Sequence, residues 1–180
     1  MMDKTEYILY LARDILVSLL VVGIIAVAAF LLAGTWPVMV AVQSGSMVPN
    51  INIGDVVVIQ GLGRTNIITE KEGMENNYIS MGDFGDVIVY RPNGDKQKTP
   101  VIHRAMDWIS AGDPMPNGVR APHSGYITKG DHNQRFDQPY LTKPIKKEWV
   151  VGVARVKAPF IGRVRLLFSN LVSFGSHFAL

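Results

Sequence analysis

ILVSLLVVGIIAVAAFLLA, residues 15 to 33, is nineteen residues without a charge, and its reading decides how the rest of the chain is organised. As a helix rising about 1.5 Å per residue it covers nearly all of the ~30 Å hydrocarbon core of a bilayer. Tyr7 to Ala12 can extend it into the interface, Gly34 and Pro37 are stop signals, and Trp36 is a residue type found at headgroup depth. A cleavable secretory signal carries an apolar stretch of about 7 to 15 residues behind a positive segment. Here the stretch is longer and its flank holds both signs: Lys4 and Arg13 among Asp3, Glu6 and Asp14. Residues 15–34 are therefore expected to be a transmembrane anchor. No Lys or Arg follows it until Arg64, which puts residues 1–14 in the cytoplasm and the remainder outside, in a single-pass protein of the cell membrane.

Beyond the anchor, runs rich in Val, Ile and Tyr recur between turn residues: Val38 to Val42, Asp55 to Gln60, Asp86 to Tyr90, Pro100 to Met106, Tyr126 to Thr128 and Trp149 to Val156. No stretch between Pro37 and Pro159 sustains a 3.6-residue period, so residues 35–162 are expected to form one mainly β domain outside the membrane. Gly61 to Asp83, with TEKEGMENN at its centre, reads as a surface insertion, and Asp107 to Ser124 as a loop. Residues 163–180 begin basic and become apolar, with Leu167, Leu171, Phe174 and Phe178 at helical spacing. Too few residues follow Arg165 for a second span, so an amphipathic helix at the interface or docked on the core is expected.

Composition narrows the chemistry. The chain has 18 Lys and Arg against 15 Asp and Glu, a net charge of +3, and no basic stripe or nucleic-acid motif. Nucleic acid is not an expected partner. With no cysteine in the chain there is no disulfide, thiol nucleophile or thiolate metal site, so any nucleophile is an oxygen or a nitrogen.

The short apolar run Val38 to Val42 leads into Ser44-Gly45-Ser46-Met47-Val48-Pro49, a turn of small residues close to the anchor. Downstream lie Val101-Ile102-His103-Arg104, then Thr128-Lys129-Gly130-Asp131-His132-Asn133, then Asp137. A serine, a histidine and aspartates are the parts of a nucleophile, base and orienter set. Each part alone has a plainer reading: Ser, Gly, Pro and Asp are ordinary turn residues, and a lone histidine on a strand is commonly structural. Two other functions use the same residues. One is a membrane-tethered β module that binds an extended peptide without chemistry. The other is a metal-dependent hydrolase built on His103, His123, His132, Asp131 and Asp137, against which stands the lack of a paired-histidine motif. No cofactor and no metal are expected.

Taken in order, Ser44-Gly45-Ser46-Met47-Val48-Pro49, Gly54-Asp55, Gly85-Asp86-Val87-Ile88-Val89-Tyr90, Ile102-His103-Arg104, Lys129-Gly130-Asp131 and Asp137 resemble the type I signal peptidases. The resemblance is closer to the archaeal members and the catalytic subunits of the endoplasmic reticulum complex, and runs to Ala158-Pro159-Phe160-Ile161-Gly162. Bacterial members pair the serine with a lysine; the archaeal and reticulum type carries histidine, and His103 holds that place. Lys98 and Lys129 do not. The resemblance implies Ser46 as nucleophile, His103 as general base, Asp137 as acidic partner with Asp131 in support, and Ser44 with the Ser46 backbone N–H as oxyanion donors. It also implies a β-rich fold and cleavage of signal peptides from secreted preproteins. The expected partners are those preproteins, the lipid bilayer and, in a secretion complex, further subunits. Where relatives read Asp-Asn-Asn this chain has Asp131-His132-Asn133, which leaves the division of labour between the two aspartates open.

Overall fold

A computed structural model describes residues 3–159 of the chain; the expected amphipathic segment 163–180 lies outside the described residues. The first element, α1, is a helix over Lys4–Ala33, 30 residues long, hence about 45 Å. It takes in the flank as well as the uncharged core. Its apolar residues point to all sides, and none of its most apolar 18-residue window is buried against the rest of the protein. A helix apolar all round needs an apolar surrounding, and this is the one helix among the described residues long and apolar enough to cross a membrane. Gly34 ends it in the left-handed conformation, φ 67°, with its N–H bonded to the Phe30 carbonyl. Two further carbonyls of the last turn are met by the domain: Gly61 N–H donates to Ala33 O and the Arg64 guanidinium to Leu31 O, both at 2.8 Å. A cation at a helix C-terminus also suits the helix dipole.

The domain is mainly antiparallel β sheet, as expected. Its strands are β1 (Met39–Ala41), β2 (Val56–Gln60), β3 (Ile79–Ser80), β4 (Asp83–Phe84), β5 (Val87–Tyr90), β6 (Val101–Ile109), β7 (Gly125–Lys129) and β8 (Val150–Ala158). Six of them form one sheet in the order β1-β2-β8-β5-β6-β7, and β3 pairs with β4 alone. Each main apolar run became one strand of the large sheet. Strand β5 is buried throughout, because Val87 and Val89 join a cluster with Met47, Ile51 and Val57 on one face. Ile88 and Tyr90 join Ala105, Tyr126 and Ile145 on the other. Both faces of the central sheet are covered, which is why β5 reads as continuous apolar sequence and not as an alternating one.

The insertion expected at residues 61–83 contains a short helix that the sequence reading did not name: Glu70–Asn76 form α2, started by a capping box in which Thr69 Oγ1 accepts from Glu72 N–H and the Glu72 carboxylate accepts from Thr69 N–H. Seven residues are too few to display a helical period. The T-x-x-E spacing of Thr69 and Glu72 was the available signal.

Candidate active site

Strand alternation sorts the candidate residues. In the register of β5 and β6, Ile88 faces His103 and Val87 faces Arg104, so the two neighbours project to opposite faces of the sheet. His103 shares its face with Tyr90, and through the Ala105–Thr128 pair with Thr128 of β7. On that face Asp137 is buried, and its Oδ2 lies 2.7 Å from His103 Nδ1. Two hydroxyls reach the same oxygen: Tyr90 at 2.8 Å and Thr128 at 2.6 Å. Thr128 Oγ1 accepts from Gln138 Nε2 at 3.2 Å, which leaves its own hydrogen for Asp137. Burial and the neighbouring Asp137 carboxylate push the Tyr90 phenol well above its ordinary range, so Tyr90 too is a donor. With both hydroxyls donating to Asp137 Oδ2, the geometry suits His103 donating to the same oxygen through Nδ1–H. That tautomer leaves Nε2 free to accept a proton.

On the opposite face Arg104 is fully buried and Asp131 answers to it. The guanidinium grips both carboxylate oxygens, Nε to Oδ1 at 2.9 Å and Nη2 to Oδ2 at 2.8 Å, a bidentate geometry of the strong kind. Nη1 donates to the carbonyls of Ser80 and Gly85, among others. Asn50 Nδ2 donates to Asp131 Oδ2 at 2.8 Å, tying the aspartate to the serine turn. A second tie runs from His132 N–H to the Ser46 carbonyl at 2.9 Å. Gly130 makes this approach possible, since a Cβ there would lie 2.6 Å from the Ser46 carbonyl oxygen.

Between these parts is a cavity of about 580 Å³ walled by β1, residues 99–103, Ser44 and Ser46. Ser46 and His103 thus share a cavity, but the Ser46 hydroxyl is bonded to Ser44 Oγ at 3.2 Å and not to the imidazole. The turn is anchored beneath by Met47 and Ile51, both fully buried, with Ile51 N–H donating to Met47 O. Of the other candidates, His123 bonds the Ser124 carbonyl and lies edge-on to Trp149, while His132 is exposed and lines a separate cavity beside His103. Among the described residues no three His, Asp or Glu side chains gather as a group able to hold a metal ion. Chemically the arrangement offers a hydroxyl, an imidazole with an acceptor nitrogen, and a carboxylate fixed by three donors.

No protein-family model matches the chain. A curated relative does: the signal peptidase complex catalytic subunit SEC11 of Candida tropicalis, 29% identical over 146 residues that cover 75% of this chain and 68% of the relative. The chain is thus similar to a signal peptidase catalytic subunit over three quarters of its length. The sequence alone did not single out Tyr90, Thr128, Gln138, Asn50 or Arg104 as part of the site. Arg104 and Thr128 stood in the quoted motifs without a role. Tyr90 closes the GDVIVY run of β5, and only the cross-strand register sets it on the face of His103.

Proposed function

We propose that the chain is a membrane-anchored serine endopeptidase that removes N-terminal signal peptides from secreted preproteins. The observation that carries this reading is the buried His103–Asp137 pair at the wall of a cavity shared with Ser46, in a chain related to a signal peptidase catalytic subunit. Ser46 Oγ attacks the scissile carbonyl carbon while His103 Nε2 takes its proton; Asp137 keeps the imidazole in its Nδ1–H form and stabilises the imidazolium. The Ser46 N–H and the Ser44 hydroxyl meet the oxyanion. Collapse breaks the C–N bond, with His103 returning the proton to the leaving amine. Water then attacks the acyl-serine ester by the same route, releasing the signal peptide and restoring Ser46. Asp131 supports the site from outside the reaction, by holding the serine turn to Arg104.

Strand β1 is the edge of its sheet. Val38 and Val42 turn their bonded backbone groups toward β2 and the two residues before it, through Ile59 N–H to Val38 O, Val42 N–H to Asp55 O and Gly54 N–H to Val42 O. By alternation the backbone groups of Met39 and Ala41 point to the open edge. An extended signal-peptide end pairs there, with its small side chains in the apolar cavity beside β1. Residues 15–34 anchor the enzyme with residues 1–14 in the cytoplasm, which sets the domain of residues 35–162 outside, where a signal peptide ends its span. Further subunits of a secretion complex are partners on the same reading.

The test is cleavage of a preprotein by His103→Ala, Lys98→Ala and Lys129→Ala. The histidine variant loses cleavage and both lysine variants keep it. Loss in a folded Lys129→Ala alone would overturn the assignment of His103 as base.

A further inference from the structure

His103 stands in the wall of two cavities. The one described above contains both serines; the other, of about 770 Å³, contains His103 and Asp137 but neither Ser44 nor Ser46. The rest of this second wall is the 132–136 loop with Tyr140 and Leu141, both exposed. The chemistry of acyl transfer assigns the two halves of a peptide to the two cavities. The acyl half stays on the serine oxygen, whereas the amine half takes its proton from the histidine and departs. Residues that follow the cut therefore leave past His103, on the side away from the serines.

The lining of that second cavity has a definite electrostatic character. Arg135 contributes an exposed guanidinium; Lys129 is outside the wall, with Nζ 5.5 Å from the centre of the Phe136 ring and with the Glu70 carboxylate in its field. Asp137 is the one acid among the described residues of the wall, and it is buried under His103, Tyr90 and Thr128. Asp131, close by in the chain, is taken by Arg104 and Asn50. A lysine entering the cavity meets the Arg135 guanidinium and no open carboxylate of the wall, whereas a glutamate finds Arg135 as its partner. We propose, resting on the peptidase reading, that this cavity is the subsite for the first residues of the mature chain and favours acidic over basic side chains there.

The experiment compares two preproteins that differ only in Glu or Lys at the first three positions after the cut, incubated with the full chain in phosphatidylcholine vesicles. The glutamate form is cleaved with a kcat/KM about threefold higher at low salt, in keeping with one exposed ion pair, and the margin narrows as salt is raised. Arg135→Gln brings the two rates together and Arg135→Glu reverses their order, with folding checked by thermal unfolding. Equal rates in the wild type, or a ratio unmoved in Arg135→Glu, overturn the inference. Cleavage of neither form, or cleavage that persists in Ser46→Ala, overturns instead the peptidase reading on which it rests.

Discussion

At the scale of the residue, the two aspartates do different things because His103 and Arg104 are neighbours on one strand and so face opposite ways. Asp137→Asn keeps the shape but replaces an acceptor oxygen with an amide, removing what holds His103 in its Nδ1–H form. Cleavage should fall by roughly 10³ to 10⁴ with little loss of stability, as expected for a triad acid. Asp131→Asn leaves the buried Arg104 charge without its partner, and should destabilise the domain by about 3 to 5 kcal/mol, seen in thermal unfolding. Equal catalytic loss in both variants, corrected for folding, would contradict this division. Tyr90 makes a second residue-scale prediction. Its phenol is held neutral by burial and by Asp137, so the folded protein binds a proton above pH 10 that the unfolded chain releases. Stability from this source is complete below about pH 10 and falls as pH rises further. Tyr90→Phe, with no phenol to ionise, should show a shallower alkaline decline from a lower neutral stability. An alkaline slope identical to the wild type would remove Tyr90 as its cause.

At the scale of the element, the sequence was most legible where a strand is long and apolar. The GDVIVY run of β5 and the VIHRAM run of β6 announce themselves, and Gly34 marks the end of α1. Register was not legible, because an apolar run shows that a strand exists but not which residue faces which across the ladder. That is why the partner of His103 stayed open in the sequence and is plain in the fold. Helix α2 was missed for another reason: its seven residues hold less than two turns of pattern, and only the Thr69–Glu72 box speaks for it. The open edge of β1 yields a test of substrate pairing. Ala41→Pro removes an N–H that the sheet does not use, a position where an edge strand accommodates proline. KM for a preprotein should rise roughly two- to tenfold, the worth of about one hydrogen bond, with the unfolding temperature nearly unchanged. An unaltered KM would place the peptide elsewhere.

At the scale of the whole molecule, helix α1 and the candidate site form one piece. The last turn of α1 is held by Gly61 and Arg64, the chain then enters β1, and β1 runs into the serine turn; with α1 as the proposed anchor, these contacts set the height of the site over the membrane. Because the chain has no cysteine, its orientation can be read from single introduced thiols. Gln97→Cys, exposed in the domain, should react with a membrane-impermeant thiol reagent on intact cells, and Lys4→Cys only after permeabilisation. The opposite pattern would invert the proposed topology. The central claim, that this chain cuts signal peptides with Ser46, is met most directly by incubating a signal-bearing preprotein with the wild type and with Ser46→Ala and reading the new N-terminus of the product. A single new N-terminus just after the signal peptide, present with the wild type and absent with Ser46→Ala, is the predicted result. A preprotein that is bound but left intact, or one cut equally by Ser46→Ala, would contradict it.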